Sequence, residues 1–292
     1  MDHLVVGVDG SSGADRALAW AIREARLWDA RLTIVHCYPL LPTGGPRLAE
    51  EEDNARRAVE TLVAAHATEL DDVRWNTQVR WAPSGSWAYK LVDAAEDADL
   101  LVVGSRGLGG FWQLLLGSVS HHVSVHAPSS VAVVRDGADS TGYPSSVVVG
   151  IDGSQPSLRA LTWAARESDR LGVPLEAVHA YPVPTAAANV ALARSTDKAE
   201  ALRAHARAAA EELLAAAVAR GDLPAGVEVR RRIAAGSPAG VLIAAAGGDA
   251  LLVCGQRGHG RLGQLVLGSV SDQCLRHAEG TVVVVRPTRV AI

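Results

Sequence analysis

Only three cysteines occur among the 292 residues, Cys37, Cys254 and Cys274. None belongs to a Cys-x-x-Cys pair, so a disulfide framework is not expected and a reducing compartment is. Net charge is −4, and no lysine- or arginine-rich run is long enough to track a phosphate backbone. Nucleic acid is therefore not an expected partner. No apolar stretch approaches the ~18 residues of a membrane span, and Met1 leads into no basic export region. The expectation is a soluble cytoplasmic protein with no membrane partner.

Several sequence motifs are missing as well. There is no Gly-Lys-Ser/Thr of a Walker loop and no Gly-x-Ser-x-Gly nucleophile elbow. Gly107-Leu108-Gly109 has Trp112 where a dinucleotide fingerprint needs its third glycine. His121 and His122 are adjacent on an expected helix, share no face, and have no third ligand near them, so no metal site is expected.

What the chain does contain is a long repeat. Val5-Val6-Gly7-Val8-Asp9-Gly10-Ser11 returns 143 positions later as Val148-Val149-Gly150-Ile151-Asp152-Gly153-Ser154. Gly104-x-x-Gly107, nine residues and then Gly117-Ser118 returns 151 positions later as Gly255-x-x-Gly258, nine residues and Gly268-Ser269. A period of about half the chain is too long for a solenoid and reads as two copies of one domain. The length fits two domains, and 48% hydrophobic content supplies a core for each. The expected division is 1–136 and 145–292, with the apolar-poor segment 137–144 as linker.

Short apolar runs alternate with helical patterns, the signature of βα units on a parallel sheet. Strands are expected over 4–8, 32–37, 73–81, 100–103 and 131–134, then 147–151, 175–180, 227–233, 251–254 and 282–285. Continuous apolar runs mark strands covered on both faces. First-half helices are expected through Leu18, Ala21, Ile22 and Ala25, with Asp9 to Ser12 offering capping side chains ahead of them, then over 48–70, over 84–96, and from Ser118 to before Pro128. The extra residues of the second copy fall around 182–199. The fold class is thus α/β, two tandem open five-stranded parallel sheets of Rossmann-like type. The final strands, Val131 to Val134 and Val282 to Val285, would leave apolar edges open unless paired.

In open α/β sheets a ligand sits beyond the carboxyl ends of the strands. Glycines there let backbone N–H groups face an anion, and Ser118 and Ser269 stand where a helix begins and its dipole favours phosphate oxygens. Asp9 and Asp152, ending the first strand of each copy, are placed to accept from ribose hydroxyls, to sit near a bound metal or to cap the following helix.

On these residues the chain resembles the universal stress protein family in its tandem, nucleotide-binding form, over nearly its whole length. The resemblance implies an ATP-binding regulator of stress or dormancy that acts by nucleotide-dependent binding, with Mg²⁺ a candidate companion. A slow ATPase or adenine-nucleotide hydrolase is the alternative. His36 and His179 resemble parts of the adenosine pocket. Gly7, Val8, Asp9 and Cys37 would hold the adenosine in the first site. Its phosphates would lie on Gly104, Ser105, Arg106, Gly107, Leu108, Gly109 and Gly110, with Gly117, Ser118, Val119 and Ser120. The second site would use Gly150, Ile151, Asp152 and Ala180. Its phosphate side would be Gly255, Gln256, Arg257, Gly258, His259, Gly260 and Arg261, with Gly268, Ser269, Val270 and Ser271. The partners implied are an adenine nucleotide, an unidentified regulatory protein and, beyond the pairing of the halves through their final strands, a second copy of the chain.

Overall fold

The computed structural model describes residues 1–39, 47–83, 85–107, 116–135, 143–181, 196–256 and 267–287, with the side chains of 47–49 and 196–203 left aside. The linker segment 137–142 and most of the 182–199 insertion lie outside the described residues. The first half runs β1 (His3–Val8), α1 (Ser12–Trp28), β2 (Arg31–Pro39), α2 (Arg47–Ala65), α3 (Ala67–Leu70), β3 (Trp75–Ala82), α4 (Trp87–Ala94), β4 (Leu100–Gly104), α5 (Ser118–His126) and β5 (Ser130–Val134). The second half follows with β6 (Val147–Gly150), α6 (Gln155–Leu171), β7 (Leu175–Tyr181), α7 (Thr196–Arg220), β8 (Val229–Ala235), α8 (Pro238–Ala246), β9 (Leu251–Gly255), α9 (Ser269–His277) and β10 (Val282–Val285).

The strands form one ten-stranded sheet in the order β3-β2-β1-β4-β5-β10-β9-β6-β7-β8. Within each half every pairing is parallel. The halves meet through the antiparallel pair β5–β10, with Val282 opposite Val133 and Val284 opposite Val131. Both apolar edges are thereby closed against each other. One core layer lies under α1, α2, α6 and α7, and the other under α4, α5, α8 and α9; each runs through both halves.

Local chemistry sets the helix ends. Ser11 and Ser154 cap α1 and α6, their hydroxyls accepting from the backbone N–H groups of Ala14 and Ser157. The expected helix over 48–70 is broken at His66. Its ring bonds Asp15 of α1 at 2.9 Å and Glu69 at 3.0 Å, a tertiary tie with no periodic signal. The strands expected from Val73 and Val227 start two residues later, because both residues are held in turns by Leu70 and Pro224. The helix expected over 84–96 is shorter, Trp87–Ala94, following a turn in which Ser86 N–H bonds the Pro83 carbonyl and Gly85 has φ +85°.

The seam carries reciprocal braces. Arg286, just after β10, is buried and donates to the carbonyls of Ser124 and Val125 in the last turn of α5, at 2.7 and 2.9 Å. Arg135, just after β5, donates to the carbonyl of Leu275 in the last turn of α9. A cation at a helix C-terminus satisfies orphan carbonyls and opposes the dipole. His121 of α5 lies 3.4 Å from Asp272 of α9.

Arg286→Met should lower unfolding free energy by about 2 kcal/mol, the scale of a hydrogen bond to a charged group, read from urea unfolding. For His66, burial favours the neutral ring, but the bonds to Asp15 and Glu69 together with their charges outweigh it, so its pKa is raised above 6.5. Its contribution is fully present below that unfolded value and is lost as pH rises through the higher folded one. His66→Gln should flatten the urea midpoint across that window.

Candidate functional site

Strand order 3-2-1-4-5 reverses direction between β1 and β4, and the corresponding crevice in the second half lies between β6 and β9. Chain connections leave such a crevice on opposite faces, opening a space beyond the strand ends. Asp9 follows β1 and Gly104 ends β4 at this point; Asp152 and Gly255 repeat the placement.

The Asp9 carboxylate is fixed, Oδ1 accepting from Ser11 N–H at 2.9 Å. Asp152 Oδ1 accepts from Ser154 N–H at 3.0 Å and from its hydroxyl at 2.5 Å. Gly10 and Gly153 make the intervening turn at φ +82° and +80°, where other residues are strained. A Cβ on Gly107 would lie 2.2 Å from Asp9 Oδ2, so the glycine turn and the strand-one acid form one site. Arg106 is exposed beside them, and Ser105 is buried.

Below the turn the backbone is packed tightly. A Cβ on Gly104 would meet the Gly13 carbonyl oxygen at 2.6 Å, and one on Gly13 would meet that of Arg106 at 2.5 Å. In the second half Gly255 meets Pro156 at 2.7 Å. The sequence pattern did not single out Gly13, whose counterpart is proline, so no duplication marked it. Gly7 and Gly150 are packing positions: a Cβ there would press on Leu91 of α4 or Leu242 of α8 at 2.9 and 2.7 Å. Val8 and Ile151 are buried beside them.

The helices after the turns differ from α1 and α6 at their starts. Gly117 and Gly268 occupy the N-cap positions of α5 and α9, with no side-chain cap bond. Among the described residues no side chain caps their first N–H groups, which suits an anionic acceptor there. Ser118 and Ser269 are exposed there, with Val119 and Val270 half-buried. Ser120 and Ser271 instead turn inward, each hydroxyl donating at 2.6 Å to the carbonyl of Gly104 or Gly255. They hold helix to strand. Gly117 and Gly268 N–H groups bond the carbonyls of Ser105 and Gln256, both at 2.8 Å, closing each loop at its base.

On β2 and β7, His36 Nδ1–H donates to the Val8 carbonyl at 2.9 Å and His179 Nδ1–H to that of Ile151 at 2.6 Å. Cys37 and Ala180 follow them, half-buried. Burial pushes the Cys37 thiol up to about 11 against the pull of Arg80 and Lys90, which favours the neutral thiol. Leu108, Gly109 and Gly110 lie outside the described residues, as do Arg257, Gly258, His259, Gly260 and Arg261.

Ser120→Ala should cost about 1 kcal/mol of stability, one buried hydrogen bond, whereas Ser118→Ala should leave stability unchanged. Gly104→Ala should cost about 1–3 kcal/mol through overpacking against Gly13. Urea titration of the three variants checks this ordering.

Comparison with known proteins meets the same duplication. The family model described as the universal stress protein family matches residues 1–135 and again 145–286. A universal stress protein of Mycolicibacterium smegmatis is 35% identical over 300 residues, covering 97% of each chain. A crystal structure of a universal stress protein from Archaeoglobus fulgidus has a similar fold, with TM-score 0.66 at 20% identity over 97% of this chain and 98% of that one. Another, from the same organism in complex with dAMP, matches 46% of this chain and 97% of its own, at 25% identity and TM-score 0.36. Matched twice by the family model and aligned end to end with a relative of the same length, the chain belongs to the universal stress protein family.

Proposed function

We propose that each half binds one adenine nucleotide, with ATP the first candidate, and that the protein regulates a stress or dormancy response from the cytoplasm through nucleotide-dependent binding. The observation that carries this reading is the pair of helix N-termini, α5 and α9, left without side-chain caps beside a strand-one aspartate in both halves. Uncapped N–H donors, a helix dipole and exposed Ser118 or Ser269 suit phosphate oxygens, while Asp9 and Asp152 suit ribose hydroxyls. A Cβ on Gly107 would clash with Asp9, so the bare backbone of the turn and the acid can present one surface to a ligand.

Mg²⁺ enters this proposal only as a companion of the phosphates. Among the described residues no three His, Cys, Asp or Glu side chains converge on a common point. Bound nucleotide would contact the glycine turns and brace α5 and α9. A regulatory protein or a second copy of the chain would then read that surface. Among the described residues no helix is long and apolar enough to cross a membrane.

Denaturing the purified protein and identifying the released nucleotide by mass spectrometry tests the reading. Near-stoichiometric ATP from both sites is the expected outcome; ADP or AMP alone would point to hydrolysis instead. Gly107→Ala with Gly258→Ala should abolish binding of added ATP in equilibrium dialysis, and unchanged affinity would remove the basis of the proposal.

A further inference from the structure

Residue 24 in α1 and residue 167 in α6 occupy the same place in the two copies, and both are glutamate. Glutamate on a helix normally faces water. These two are 4% and 0% exposed. Antiparallel pairing of β5 with β10 brings α1 against α6 over the seam. The α1 indole that reaches Glu167 belongs to Trp28, one turn beyond Glu24, so both buried carboxyl groups lie in the same contact. The Trp28 indole N–H donates to Glu167 Oε2 at 2.8 Å. Two oxygens, Glu24 Oε2 and Glu167 Oε1, are buried without a hydrogen-bond donor.

Ionised carboxylates only accept. Two carboxyl groups buried in one contact do not both ionise, and a proton on one of them supplies the donor that their unmatched oxygens lack. We propose that the seam holds one proton shared between Glu24 and Glu167, and that this proton makes the α1–α6 contact a pH-sensitive joint between the halves.

The surrounding charges do not replace it. Arg23 on α1 and Arg170 on α6 act on the pair from a distance, and the Arg170 guanidinium lies over the Trp28 ring, 3.9 Å from its centroid. Arg16 and Arg159 lie about two turns away along their helices. Arg166 pairs with Asp222, and Arg26 bonds the Glu69 carbonyl. Glu69 and Asp15 are held by His66, and Glu211 of α7 by Arg207. β5 and β10 beneath the pair carry no titratable side chain.

Burial, then the charge and hydrogen bond of Glu167, hold Glu24 well above the usual carboxylate range against Arg23 and Trp28. Burial also raises Glu167, opposed by its bonds to Glu24 and Trp28 and by Arg170. A carboxyl raised on folding contributes stability that is complete below its unfolded value of 4.5 and is lost as pH rises through the folded one. Loss of the proton leaves two facing carboxylates, which part α1 from α6 while the β5–β10 ladder still holds the sheet together.

Infrared spectroscopy of the folded full-length protein at neutral pH should show a protonated-carboxyl C=O stretch that disappears in the Glu24→Gln, Glu167→Gln double variant. Unfolding at neutral pH should release about one more proton from the wild type than from that variant. The wild-type urea midpoint should also fall more steeply with rising pH, because facing glutamines bond each other without a proton. A wild-type spectrum without the protonated band overturns the proposal, whatever the variant does. Parallel pH profiles and equal proton release in the two proteins overturn it as well.

Discussion

The antiparallel β5–β10 ladder is the contact on which the rest depends. A five-stranded parallel half ends in an all-valine or valine–alanine strand that no helix can cover edge-on. Three register pairs close both edges at once and turn two half-sheets into one sheet with one core layer on each face. The last helices come to lie side by side, and each is braced at its C-terminus by the arginine that follows the other half's last strand. The braced helices are the ones whose N-termini face the glycine turns. Each site therefore stands on a helix whose far end is held by the opposite half.

The site itself is built from close backbone approach. Gly104 against Gly13, and Gly255 against Pro156, let the start of the first helix in each half sit directly under the turn. The inward serines, Ser120 and Ser271, tie the following helix to the strand end. Between these fixed walls the N–H groups at the starts of α5 and α9 have no side-chain cap.

Much of this was legible in the sequence. The repeat set the two halves, the apolar runs set the ten strands, and the bare valine edges called for a partner that the family resemblance placed in the other half. Glycine spacing located the turns. Less legible were contacts made by one residue with no periodic neighbour, such as His66 breaking a helix to reach Asp15. Residue type alone could not separate Ser118 from Ser120, since helical pitch turns one outward and the other in. Gly7 and Gly150, placed by resemblance in the adenosine pocket, are small because Leu91 and Leu242 lie against them. The arginines after β5 and β10 and the glutamates of α1 and α6 are each duplicated, yet their meaning needed the seam.

Trp28 has Leu171 as its counterpart in the second half, so the indole that reaches Glu167 occurs once. An assembly of two identical subunits must place the same residue on both sides of its symmetry axis, supplying two indoles or none. Covalent linkage of the copies lifts that restriction. Each residue beside the axis can mutate without changing its counterpart, and the two lobes are free to become a pair of unequal specialists.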